Sequence, residues 1–260
     1  MKKILLGLIV FVGLSAIAQK SSVIYDDHAQ VRKVGGFTAI KVANAIDLYL
    51  TQSNANQVAV SANNEENRDR IITEVVGGTL IIRMAENDGW WSWKKWGDTK
   101  AKAYVSIKDI DAITASGATN VHLVNKIESP KLKVKLSGAS DMKGDIEAGF
   151  ISINASGASD LKGQLVAKSL VLDASGASNI ELSGTADDLS IEVSGASDAK
   201  LFNLMAKGAI VHASGASKAN VNVSQLLKAE ASGASDINYK GDARIHEISN
   251  SGASSIKHRN

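Results

Sequence analysis

Ser-Gly-Ala recurs eight times, at Ser116, Ser137, Ser156, Ser175, Ser194, Ser214, Ser232 and Ser251, in steps of 21, 19, 19, 19, 20, 18 and 19 residues. A period this constant is the mark of a solenoid, in which each repeat is one coil laid on the last. The residues around each copy choose strand over helix. Three before the serine stand Ile113, Val134, Ile153, Leu172, Ile191, Val211, Ala229 and Ile248. Five before it, the middle copies carry Leu132, Ile151, Leu170, Leu189 and Leu227, and five after it come Val121, Met142, Leu161, Ile180, Ala199, Ala219, Ile237 and Ile256. Lys, Glu, Ser, Asp and Asn fill the gaps. Apolar residues thus recur at every second position, the period of a strand with one buried face, whereas a helix would space them by three and four.

Short strands in successive coils imply parallel pairing, with a rise of about 4.8 Å per coil, so eight coils make a rod of roughly 35–40 Å. The expected fold class is all-β: a parallel β-helix, a single β-solenoid of about 19-residue coils. Ser-Gly-Ala-Ser admits two readings. The glycine can take φ > 0 at a corner that a Cβ would block. Alternatively the strand runs straight through a constricted interior, which the six-residue separation of flanking apolar positions slightly favours because it keeps the side-chain phase. In either case the serines can hydrogen-bond along the axis.

Residues 36–113 lack the repeat but keep strand alternation. Ile40, Val42, Ile46, Leu48 and Leu50 alternate with one slip, Val58 and Val60 follow, and Thr79–Arg83 opens another strand after the turn signal Gly77-Gly78. Asn63–Ile72 is the one stretch that suits a short helix. The division expected is 1–18 as a leader, 19–35 as an N-terminal extension and 36–257 as the solenoid. Within the solenoid, 36–113 holds irregular opening strands with a Trp-rich loop at 89–97, and 114–257 holds the eight repeats.

Phe37-Thr-Ala-Ile40, Ala45-Ile46-Asp47-Leu48-Tyr49-Leu50-Thr51-Gln52, Ile72-Thr73-Glu74-Val75 and Gly77-Gly78-Thr79-Leu80 resemble the opening of the bacterial head GIN, or auto-transporter adhesin, domain. The Ser-Gly-Ala-Ser-Asp copies are similar to that family's later coils, and the resemblance spans nearly all of residues 36–257. It implies a right-handed β-helix in an exported protein of Bacteroidetes type, with an adhesin role as the family's label. Two departures stand out. Ala45-Ile46-Asp47 replaces the expected Gly-Ile-Asp/Asn, and the sequence shows no translocator barrel.

The first eighteen residues read as a cleaved secretory signal: Lys2 and Lys3, a short apolar run from Ile4 to Ile17, then Ala16-Ile17-Ala18 before Gln19. That run is too short to span a bilayer comfortably, and no later stretch suits a transmembrane helix. The chain has no Cys, so neither a disulfide nor a lipidated cysteine is available. Removing Lys2 and Lys3 from the 29 basic residues leaves 27 against 27 acidic ones. A neutral chain lacks the excess of positive charge that phosphate backbones demand, which argues against nucleic acid. The expected location is the periplasm or the cell exterior.

Candidate chemistry is sparse. Asp141, Asp160, Asn179, Asp198 and Asp236 form a column after the repeat. Lys218 interrupts it, and the Gly-Gly-x-Gly-x-Asp pattern of calcium-binding solenoids is absent, so solvated turn residues are expected rather than a metal ladder. Carboxylates and serines that recur with the repeat point to structure, and none of the serines lies in Gly-x-Ser-x-Gly. The five histidines show no metal-ligand spacing. No catalytic residue, metal or cofactor is therefore assigned, with a carbohydrate-active enzyme as the alternative. One feature breaks the pattern. All four tryptophans, Trp90, Trp91, Trp93 and Trp96, fall within seven residues, bracketed by Gly89 and Gly97 with Lys94 and Lys95 between. Aromatic faces suit sugar rings, partner surfaces or a membrane interface, which points to a glycan or a cell-surface component; folded back, the same loop would be a lid. At the other end His246 stands five before Ser251 in place of Leu, Asn250 directly precedes that serine, and the chain runs out in polar residues. This reads as a polar cap on the last coil.

Overall fold

The computed structural model describes residue 26, residues 28–85 and residues 100–260. The opening strands are β1 (Gln30–Arg32), β2 (Ala39–Val42), β3 (Asp47–Gln52), β4 (Gln57–Ser61), β5 (Ile71–Val76), β6 (Thr79–Met84), β7 (Lys102–Ile107), β8 (Ala112–Ala115) and β9 (Asn120–Leu123). The repeats supply β10 (Ile127–Leu136), β11 (Asp141–Lys143), β12 (Ile146–Ala155), β13 (Asp160–Ala174), β14 (Asn179–Val193), β15 (Asp198–Ala213) and β16 (Lys218–Ala231). They end in β17 (Asp236–Lys240), β18 (Arg244–Asn250) and β19 (Ser255–His258). All nineteen belong to one sheet. The helix expected in Asn63–Ile72 is present but shorter, α1 (Glu65–Asp69), and the Asn64 side chain caps it by accepting from the Asn67 N–H.

One coil shows how the sequence makes the fold. In β13 the side chains of Leu161, Leu165, Ala167, Leu170, Leu172 and Ala174 are buried. The strict alternation bends at Gly163 and slips at Lys168–Ser169, which divides the coil into three faces. The first face follows the Ser-Gly-Ala-Ser segment, and the third precedes the next copy. Parallel registers align like with like on the third face: Leu132, Ile151, Leu170, Leu189 and Ala209 form one inward column, and Val134, Ile153, Leu172, Ile191 and Val211 the next. Each fully buried Leu or Ile contributes roughly 1.5–3 kcal/mol, and the stacked columns join into one continuous core.

Ser-Gly-Ala-Ser is a corner, not the straight run that its phase slightly favoured. The eight glycines have φ between +69° at Gly195 and +83° at Gly117, in the left-handed region. The fourth residue of the segment points inward and keeps the apolar phase across the bend: Thr119, Ser140, Ser159, Ser178, Ser197, Ser217 and Ser235 are all buried. Most of these hydroxyls are satisfied inside their own corner. Ser140 and Ser159 donate to the carbonyls of Ser137 and Ser156 at 2.8 Å, and Ser178 donates to that of Ser175 at 2.9 Å. Two of the first serines bond along the axis, but to backbone: Ser137 Oγ donates to the Ala115 carbonyl at 3.4 Å and Ser156 Oγ to that of Leu136 at 3.3 Å.

Chain order and spatial order part company in the opening coils. On the third face β2 lies between β6 and β8, and on the first face β3 lies between β7 and β9, all parallel. The coil made by β6 and β7 is therefore laid outside the one that precedes it in sequence. Beyond it the strands reverse. On the first face β4 pairs antiparallel with β7 and β1 antiparallel with β4; on the third, β5 forms a hairpin with β6. Reversal ends the parallel stacking at this end. At the other end β18 pairs with β16 and β19 with β17. Ile245, not His246, takes the Leu227 column, and His246 is the extra residue of a bulge where the register slips before Glu247. A bulge and a strand whose seven residues are all exposed make a poor template for further pairing.

Candidate binding surface

The corners form a ladder of their own. From the second copy onward, each Ala N–H after the glycine donates to the glycine carbonyl of the previous coil, as Ala177 does to Gly157 at 2.7 Å. In the coil of β2 and β3, Ala43 to Ile46 occupy this column, and Asn44 and Ala45 have φ of +65° and +57°. Ala45 thus holds a left-handed conformation that suits the glycine implied by the family motif. One coil further out, β6 and β7 are joined by residues 85–101, where the other coils need only four residues. Trp90, Trp91, Trp93 and Trp96 belong to that segment and lie outside the described residues, as do residues 1–18, where a leader was expected. The flanks are fixed: Ala85 N–H donates to the Arg70 carbonyl at 2.8 Å, and Asp47 N–H donates to that of Ala101 at 3.0 Å.

The Asp column stands on the first face, directly after the corners. Asp141, Asp160, Asn179 and Asp198 are stacked in successive coils, followed by Lys218 and Asp236. Asp141, Asp160 and Asp236 are exposed. Among the described residues no group of three or more His, Asp or Glu side chains is placed to hold a metal ion. A cleft of about 460 Å³ lies along the third face, lined by Glu192, His212, Ser214, Glu230, Ser232 and Ser251 among others. His212 Nδ1 is 3.2 Å from Glu230 Oε2. Three serines of the cleft, Ser214, Ser232 and Ser251, are first residues of corners and the fourth, Ser249, lies in β18; no serine donates to His212 among the described residues. The arrangement therefore lacks the hydrogen bond that would activate a nucleophile.

Two features were not visible in the sequence. Beside the cleft is a more apolar groove of about 490 Å³, walled by Leu189, Ala209, Ile210 and Leu226, with Asp188, Lys228 and His246 at its rim. It opens at Gly208, where an added Cβ would meet only Asp188 Oδ1, at 3.7 Å. At the opposite end of the rod, Asp26 accepts from Ser61 Oγ at 2.6 Å and Tyr104 Oη at 3.0 Å, with Lys102 Nζ at 3.5 Å. Burial pushes the Asp26 carboxyl up, but these partners outweigh it and hold the group below its ordinary value. Burial, and then the bond to Asp26, raises the Tyr104 phenol. Tyr104, Tyr49 and His122 stack at 5.2 and 5.0 Å between ring centres. They sit at equivalent places of β7, β3 and β9, which a reading in chain order does not align.

These observations define a β-solenoid whose repeated geometry lies in its columns and corners. The chain belongs to the family described as "Putative auto-transporter adhesin, head GIN domain", whose model matches residues 36–164 and 142–243. The fold is shared with several solved structures. A Parabacteroides merdae protein described as a "putative adhesin" is 17% identical with a TM-score of 0.79, covering 90% of this chain and 98% of that one. A second "putative adhesin", from Parabacteroides distasonis, is 22% identical with a TM-score of 0.76, covering 89% and 96%. A "putative lipid binding protein" from Parabacteroides distasonis is 21% identical with a TM-score of 0.74, covering 90% and 98%. No curated protein matches the sequence. Among the described residues no helix is long and apolar enough to cross a membrane.

Proposed function

We propose that this protein is an exported cell-envelope binding module of adhesin type, without catalytic activity, and that Trp90, Trp91, Trp93 and Trp96 contact its ligand, a glycan or another envelope component. The observation that carries this reading is the place of the Trp-bearing segment. It replaces a four-residue corner in a fold where every other corner is compact, and it concentrates all the tryptophan of the chain there. An insertion that the coil does not need, rich in the side chains that stack best on sugar rings and partner surfaces, is better explained by recognition than by packing. The signal-like leader and the adhesin family support export. The test is a glycan-array and envelope-fraction binding screen of residues 19–260, repeated with Trp90→Ala/Trp93→Ala. Binding that falls at least tenfold in the variant while thermal stability holds supports the proposal. Binding by both proteins alike, or a large loss of stability in the variant, contradicts it.

A further inference from the structure

The third face carries a charge pattern that is complementary to itself. Its outermost outward column reads, coil by coil, Lys41, Thr114, Lys135, Asn154, Asp173, Glu192, His212, Glu230. Cations gather at the β2–β10 end and carboxylates at the β13–β16 end. The innermost outward column repeats the trend, from Lys131 through Phe150 and Ser169 to Asp188. Between them Val171 and Ile210 stand 37% and 46% exposed, with Leu226 beside them at 38%. The chain is neutral overall after its leader, so this segregation is a property of the face and not of composition. Lys41, Lys131, Lys135, Asp188 and Glu192 make no ion pair among the described residues.

We propose that this face pairs with the same face of a second copy. The two-fold axis would lie in the plane of the face, along the strands between β12 and β13. Rotation about that axis keeps the columns and reverses the order of the coils, so β10 faces β14, β8 faces β15 and β2 faces β16. Lys135 then stands opposite Glu192 of the second copy, Lys131 opposite Asp188, Lys41 opposite Glu230 and Asn154 opposite Asp173. Ile210 faces Ala112, and no two like charges meet along the outermost column. Shifting the axis by half a coil, onto β13, sets Asp173 against itself, and shifting it by a full coil sets Asp173 against Glu192, so the pattern selects a register. Each contact occurs twice, as an isologous interface requires. Sheets packed face to face are about 10 Å apart, a gap that long Lys and Glu side chains span. Eight strands from β2 to β16, with about five residues each, present roughly 650 Å² per copy, or about 1,300 Å² in total, within the range of stable interfaces. This inference rests on the described face and is independent of the tryptophans.

The test is sedimentation equilibrium of residues 19–260 with a charge swap. Wild type at about 100 μM and low ionic strength should be dimeric and should shift toward monomer as salt screens the pairs. Lys135→Glu and Glu192→Lys should each weaken the dimer at least tenfold, because each sets like charges face to face. The double variant should recover to within about threefold of wild type. Within one chain the two residues are three coils, roughly 14 Å, apart, so recovery reports a contact between copies. A monomeric wild type overturns the proposal, and so does a double variant no better than the singles.

Discussion

The corners allow a sharp comparison between two glycines. At Gly176 φ is +76°, and an added Cβ would stand 2.5 Å from the Gly157 carbonyl oxygen and 3.0 Å from its nitrogen. That backbone cannot retreat cheaply, because the same oxygen accepts the Ala177 N–H at 2.7 Å. Gly176→Ala should therefore cost about 1–2 kcal/mol for a left-handed L-residue and a further ~0.5–1.5 kcal/mol for the weakened axial hydrogen bond. For a chain of this size each kcal/mol moves Tm by about 2–4 °C, so the variant should melt roughly 3–14 °C lower. Gly208→Ala is the control. Its Cβ meets only Asp188 Oδ1 at 3.7 Å, and the less flexible unfolded chain should make it neutral to ~1 kcal/mol more stable. Thermal and urea unfolding followed by far-ultraviolet circular dichroism reads both. In a solenoid the damage should centre on neighbouring coils, so hydrogen exchange should speed most in β13–β15. If Gly176→Ala is as stable as Gly208→Ala, the corners are not held by glycine in the way described.

Ala45→Gly should stabilise the protein by about 1 kcal/mol by relieving the φ of +57°, raising Tm by about 2–4 °C; an unchanged or lower Tm contradicts this. Deleting residues 243–260 removes β18 and β19 and bares Leu227, Ala229 and Ile237, which are fully buried. The truncated protein should associate with increasing concentration in sedimentation, and a soluble monomer would show that these strands do not cap the rod. The Asp26 carboxyl titrates below its ordinary value of 3.8, so its contribution to stability is complete above that value and is lost as pH falls through the lowered one. The Tyr104 phenol is raised, so its contribution is complete below about pH 10 and is lost at more alkaline pH. Asp26→Asn should flatten both limbs of the stability profile, and an unaltered profile would mean that the cluster contributes nothing.

Much of this was legible in the residues themselves. The alternation around Leu161 and Leu172 gives the buried face of β13 directly, and the constant step gives the parallel register that aligns Leu132 with Ile151 and Leu170. The corner was harder to read because Ser178 restores the inward phase after the turn, so a bend and a straight strand leave the same spacing. The placement of β6 outside β2 leaves no trace in a linear reading, since Ile81 and Lys41 pair across forty residues without any repeat to align them. The bulge at His246 was hidden for a related reason: counting back from Ser251 assumes an unbroken register, and one extra residue moves Ile245 into the core column. The charge pattern of the third face appears only when residues nineteen or so apart are read as neighbours.

All the tryptophan of the chain lies in Trp90–Trp96, so intrinsic fluorescence reports on that segment alone. The decisive measurement is acrylamide quenching of residues 19–260 with and without isolated envelope polysaccharide. If the segment is the binding element, quenching should be efficient in the free protein and should fall at least twofold when polysaccharide is bound. Binding, shown independently by sedimentation, that leaves quenching unchanged would contradict the account and move recognition to another part of the surface.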